Sequence, residues 1–128
     1  MVVIFYKPML RYINIPNPNP TEQIITINTR AKIVRISLTY RADATAVTRN
    51  VKFFREDAFG REHPLASFNI LANQDLGLLA APVAYEIPNN IVKIGEEYLE
   101  EGGKIKMRAT NVQSGDQLKD FTVLYLVI

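Results

Sequence analysis

A period of two runs through Ala31–Arg41 (AKIVRISLTYR) and again through Lys104–Asn111 (KIKMRATN), and it commits the chain to pleated sheet. Strand side chains alternate between two faces, whereas helical faces recur every 3.6 residues. In the first segment Val34, Ile36, Leu38 and Tyr40 share one face, and Ile33, Arg35, Ser37 and Thr39 the other. In the second, Ile105, Met107 and Ala109 point inward, and Lys104, Lys106, Arg108 and Thr110 outward. This is the signature of antiparallel sheet with one wet face. No stretch holds a helical period for three turns. Further strands are expected at Arg11–Ile15, Gln23–Asn28, Asn50–Glu56, Pro64–Leu71, Val83–Ile87 and Lys119–Val127. The last is apolar at nearly every position, as for a strand covered on both faces.

Turn residues separate these runs. Asp57-Ala58-Phe59-Gly60 reads as a hairpin loop, Ser114-Gly115-Asp116 as another, and Gly102-Gly103 as a release before the Lys104 strand. Asn73–Pro82 is the least regular interior segment, a crossover or one helical turn. Glu96–Glu101 has weak helical character confined by Gly95, Gly102 and Gly103. Many short strands with turns between them indicate a sandwich or barrel of about eight strands. The core is expected to hold Val34, Ile36, Leu38, Tyr40, Val51, Phe53, Phe68, Ile70, Ile105, Met107, Phe121, Val123 and Tyr125.

Asn14–Thr21 (NIPNPNPT) breaks the pattern. Alternating Asn-Pro removes backbone donors and favours an extended, polyproline-like connector. It divides an N-terminal arm, residues 1–13, from a single β-domain over residues 22–128. The arm is apolar, so it either folds back as an edge strand or docks on another subunit. The reach of the connector favours anchoring in trans.

With no cysteine, disulfides, thiolate metal sites and cysteine nucleophiles are excluded, and a single histidine, His63, cannot supply a histidine-based site. There is no phosphate-binding glycine loop, and no tryptophan for a sugar platform. No catalytic residue, metal or cofactor is therefore expected. No apolar run approaches the ~20 residues of a membrane span, and a secretory leader is not expected from the first residues. Net charge is +2, too balanced for nucleic-acid recognition. The charge is unevenly spread, however: residues 1–64 sum to +5 and residues 65–128 to −3. Head-to-tail pairing between copies would use that asymmetry, and salt would then weaken assembly. The expected interface takes Val3, Phe5, Tyr6, Met9, Leu10 and Tyr12 from the arm, with Arg35, Lys106 and Arg108 facing Glu97 and Glu100.

Two segments carry a resemblance. One is Ile33–Gly60 (IVRISLTYRADATAVTRNVKFFREDAFG). The other is Tyr85–Leu126, with Ile87-Pro88-Asn89-Asn90, Tyr98-Leu99-Glu100-Glu101-Gly102-Gly103-Lys104-Ile105 and Asn111-Val112-Gln113-Ser114-Gly115-Asp116-Gln117 before an apolar closing strand. Together they resemble small jelly-roll structural proteins of tailed bacteriophages, found on heads, necks or tails. The resemblance implies an antiparallel jelly-roll-like β-sandwich and a non-enzymatic virion protein, assembled in the host cytoplasm. A capsid decoration or cement protein comes first, with a neck or tail component or a lectin-like or adhesin-like module as alternatives. Its implied partners are itself, as a trimer first, and other virion proteins such as the major capsid protein. The arm with its Asn-Pro repeat departs from the pattern.

Overall fold

The computed structural model describes residues 9–82 and 90–128. Ten strands run in chain order: β1 (Met9–Ile15), β2 (Gln23–Ile27), β3 (Ala31–Arg41), β4 (Arg49–Glu56), β5 (Glu62–Ile70), β6 (Asp75–Ala81), β7 (Ile91–Lys93), β8 (Tyr98–Leu99), β9 (Gly103–Thr110) and β10 (Gln117–Val127). No helix occurs among the described residues, and the chain is all-β. One sheet has the order β1-β10-β3-β6-β7, with β8 also on β3, and the other β2-β9-β4-β5. All pairs are antiparallel except β6 with β7.

One core lies between the sheets. Ile33, Ile36, Leu38, Tyr40, Leu78, Phe121 and Val123 face it from the six-stranded sheet. Ile25, Ile27, Val51, Phe53, Phe68, Ile70, Ile105 and Met107 face it from the four-stranded sheet. Phe53 joins the layers: its ring stacks on Phe121 across the core at 5.9 Å and meets Phe68 edge-on at 5.4 Å. Offset and edge-on contacts of this kind add to the burial of the rings themselves.

Every expected core residue is buried except Val34, which is half-buried and faces outward. The cause is a β-bulge. Leu124 pairs with Arg35 and Tyr125 with Ile33, so Val34 is the extra residue. Parity reverses there, and Ala31 and Ile33 turn inward in place of Val34. A second bulge compensates it on β10, between Lys119 and Thr122, where Asp120 takes φ 55°. The two insertions lie on opposite strands, so the pairing returns to register at both ends.

Two further expectations change. Asn73–Pro82 begins in the turn that crosses from β5 of one sheet to β6 of the other, and the rest of it is mostly β6, paired with β3 from Ile36 to Arg41, with no helical turn. The Glu96–Glu101 segment holds β8, whose Leu99 is buried opposite Ala31. The strand expected at Val83–Ile87 lies outside the described residues, as do Val3, Phe5 and Tyr6.

The N-terminal boundary also moves. Met9–Ile15 pairs along its whole length with β10 of the same chain, and Ile13 and Ile15 pack on the core. Residues 9–13 are thus part of an integral strand. The Asn-Pro segment carries the chain from the edge of one sheet to the edge of the other. It is fastened at both ends, with the Asp120 N–H donating to the Pro16 carbonyl at 3.1 Å and the Ala109 N–H to the Pro20 carbonyl at 2.8 Å.

Truncating Ile36 or Met107 to alanine should cost ~2–5 kcal/mol, because each fills the middle of a closed core. Val34→Ala should cost well under half as much. Denaturant unfolding of the three variants checks the bulge, and equal losses at Val34 and Ile36 would contradict it.

Candidate interaction face

Two groups of ionisable side chains could carry chemistry, and both are closed on themselves. The first sits at one end of the sheets. Arg49 opens β4 on the same parity as Val51 and Phe53, so its side chain is driven inward and is wholly buried. Its Nε donates to Asp116 Oδ2 at 3.0 Å, and its Nη2 to Asp43 Oδ1 at 2.6 Å and Asp116 Oδ1 at 3.2 Å. Nη1 donates to the carbonyls of Val47 at 2.7 Å and Thr45 at 2.9 Å. Asp116 is equally buried and also accepts from the Tyr40 hydroxyl at 2.6 Å and from the backbone N–H groups of Asp43 and Gln113. Burial pushes the Asp116 carboxyl up, but the Arg49, Gln113, Tyr40 and Asp43 donors outweigh it and hold it well below the usual carboxylate range. Burial, and then the Asp116 carboxylate, push the Tyr40 hydroxyl far above its ordinary value. Gly115 is required here: a Cβ would come within 2.7 Å of Asp43 Oδ2, which accepts the Gly115 N–H. Nothing in the cluster is left to bind or to transfer a proton.

The second group covers the outer face of the four-stranded sheet. Lys104 pairs with Glu56 at 3.1 Å, and Lys106 bridges Glu56 at 2.7 Å and Glu62 at 3.2 Å. Arg108 joins Glu62 and reaches Glu22 at 2.6 Å, with its guanidinium 4.8 Å from the centre of the Phe54 ring. The Lys106 and Arg108 donors lower the pKa of Glu56 and Glu62, and those carboxylates raise the pKa of both cations. Elsewhere, Arg55 pairs with Glu97 at 2.9 Å, Lys32 with Glu96 at 3.2 Å and Arg30 with Glu100 at 3.6 Å. No buried side-chain nitrogen or oxygen among the described residues lacks a partner, and none of their His, Asp and Glu groups is placed to hold a metal ion.

Of the residues expected at the interface, Lys106, Arg108, Glu97 and Glu100 each have an ion-pair partner within the chain, with cations of each half meeting carboxylates of the other. Arg35 lies on the other sheet from Lys106 and Arg108 and shares no surface with them.

The outer face of the six-stranded sheet is different. Its cross-strand rows read Leu10–Leu126–Lys32–Tyr98, Tyr12–Leu124–Arg35 and Asn14–Thr122–Ser37–Leu79. The bulge adds Val34 to the middle row. Leu10 is 57% exposed and Tyr12 71%, while Val34, Leu124 and Leu126 are half-buried. Val34 and Leu126 also line a shallow hollow of about 470 Å³ with Ile94 and Pro82. Leu10, Tyr12, Val34, Leu124 and Leu126 thus form an apolar patch running out to the open edge of β1. Such patches on a folded chain mark contact surfaces. Of the expected residues, Leu10 and Tyr12 lie in this patch and Arg35 sits at its border, whereas Met9, half exposed, is on the opposite face of β1 with Ile13 and Ile15. Val34, Leu124 and Leu126 were missed, although the uninterrupted apolar run of β10 already signalled a strand meant to be covered twice.

A lectin-like site would need exposed aromatics converging in a hollow. Phe59 stands at a hairpin tip, whereas Tyr12 and Tyr98 sit on opposite flanks of the six-stranded sheet. A groove of about 550 Å³ is lined by Ser67, Asn69, Gln74 and Asn90 with Leu71 and Leu76, and among the described residues the only aromatic that borders it is Phe68, which is buried. Comparison with protein-family models, curated proteins and solved structures gives no match.

Asp116→Asn should destabilise the protein by ~3–5 kcal/mol, since it leaves the Arg49 charge buried without its main partner. The sign with pH follows from the lowered carboxyl pKa. The contribution of Asp116 is complete above the unfolded value near 4 and is lost as pH falls toward the native one. Chemical denaturation from pH 7 to pH 2 should therefore show wild-type stability falling in acid, and the gap to the variant narrowing. A gap independent of pH would contradict this assignment.

Proposed function

We propose that this chain is a non-enzymatic structural protein of a tailed-phage particle, first a capsid decoration or cement protein, that self-associates and attaches to a larger virion protein such as the major capsid protein. The observation that carries the reading is the contrast between two outer faces. One carries a network of its own ion pairs, and the other carries an apolar patch that reaches the edge strand β1. Ionic groups satisfied in this way offer little to a small polar ligand, while the apolar face is stabilised by being covered.

The strand order supports the jelly-roll form of the fold. Without the short β7 and β8, eight strands remain, as β1-β10-β3-β6 against β2-β9-β4-β5. Successive strands alternate between the sheets at β1, β2, β3 and β4, and again at β9 and β10, which is the interleaving of two Greek keys. A neck or tail component would use the same face against a different partner.

Mass spectrometry of density-purified particles from a host carrying this gene is the direct test. The chain should band with the particles, and its confinement to the soluble lysate would count against the reading. Assembly itself should be insensitive to salt. Sedimentation velocity should give the same oligomer in ~0.1 M and ~1 M sodium chloride, because the proposed contact is made by apolar side chains and backbone, on which screening does not act. Dissociation at high salt, or a strict monomer, would oppose it.

A further inference from the structure

The strands at the sheet edges differ in how they are protected. Among the described residues, β1, β7, β2 and β5 end the two hydrogen-bonded orders. β7 has three residues and β2 five. β5 carries Pro64 and faces an irregularity in its pairing with β4 at Phe53/Phe54. Shortness, proline and bulges are the ordinary means of blunting an edge against another strand. β1 has none of them. It is seven residues long, unbroken in register with β10 from Met9 to Ile15, free of proline, and charged only at Arg11.

We propose that the open edge of β1 pairs antiparallel with β1 of a second copy, about a twofold axis at Tyr12. The inference deepens the assembly reading above and rests on self-association, though not on a phage particle. Three features select the register. Pro8 and Pro16 flank the strand in the sequence, and neither can donate a backbone hydrogen bond, so pairing is confined to the seven residues between them. Overlap of all seven opposes Met9 to Ile15, Leu10 to Asn14, Arg11 to Ile13 and Tyr12 to its own symmetry mate. A slip of one residue would place core-facing side chains opposite outward ones and turn one sheet over. A slip of two in one direction would set Arg11 directly against Arg11, a like-charge pair that destabilises the ladder. The full-overlap register avoids both. It also joins the apolar faces of the two copies, with Leu10, Tyr12, Leu124 and Leu126 from each on the same side of one continuous sheet.

The absence of cysteine makes the test clean. Directly opposed strand residues have Cβ atoms ~5 Å apart, close to disulfide geometry. Tyr12→Cys should therefore give a covalent dimer on mild oxidation. Leu10→Cys should cross-link at least tenfold more slowly, because its mate lies about four residues, ~13 Å, along the partner strand. A mixture of Leu10→Cys and Asn14→Cys proteins should give the mixed dimer. Tyr12→Lys, placed on a side chain already in water, should weaken self-association at least tenfold with the unfolding midpoint unchanged. Cross-linking of Leu10→Cys as fast as Tyr12→Cys overturns the register. An oligomer in sedimentation that shows no Tyr12→Cys cross-link overturns the edge pairing while leaving assembly itself intact, and a strict monomer overturns both.

Discussion

The Arg49–Asp116 ion pair fixes the part of the fold on which the rest is aligned. It binds the start of β4 to the turn before β10, and through Asp43 and Tyr40 it holds the segment that leaves β3. Those three points belong to both sheets, so the pair sets one sheet's position against the other at that end. Removing two charges from water is expensive, and a buried pair is often no more stabilising than apolar residues of the same shape. What it adds is direction. Arg49 is satisfied by oxygens of Asp43, Thr45, Val47 and Asp116 in fixed places, and only one placement of the loops supplies them. Core residues such as Leu38 and Val51 can slide past one another, whereas the guanidinium fork cannot.

A second consequence follows from the way charge is used. Cations and carboxylates of the two halves meet within the fold: Arg49 with Asp116, Arg55 with Glu97, Lys32 with Glu96, and in reverse Lys106 and Arg108 with Glu56 and Glu62. The four-stranded sheet thereby acquires an outer face that prefers water. The six-stranded sheet keeps Leu10, Tyr12, Val34, Leu124 and Leu126 outside. A chain built this way has one outer face rich in paired charge and one that carries an apolar patch.

Much of this was legible in the residues, and the failures have physical causes. Alternation located β3 and β9 and nearly all of the core. It failed at Val34 because an inserted residue reverses parity, and nothing in AKIVRISLTYR marks where the insertion falls. β6 was obscure because Asp75-Leu76-Gly77-Leu78-Leu79-Ala80-Ala81 has no β-branched residue and owes its strand form to its place beside β3. Arg49 lies just before the strand expected from Asn50, and its parity with Val51 and Phe53 already implied burial. The prolines suggested reach, but a chain crossing between two sheet edges needs extended length just as a free arm does. The sealed and open faces are tertiary properties, since Lys106 and Glu62 lie 44 residues apart.

Hydroxyl-radical footprinting of the assembled protein, read residue by residue against Phe59 at the exposed hairpin tip, measures the two faces directly. Strong protection is expected at Leu10 and Tyr12 beside the joined edge, with Ile24 and Phe59 reacting as freely as in dilute protein. Tyr12 labelled as readily as Phe59 at concentrations where the oligomer is complete would contradict it.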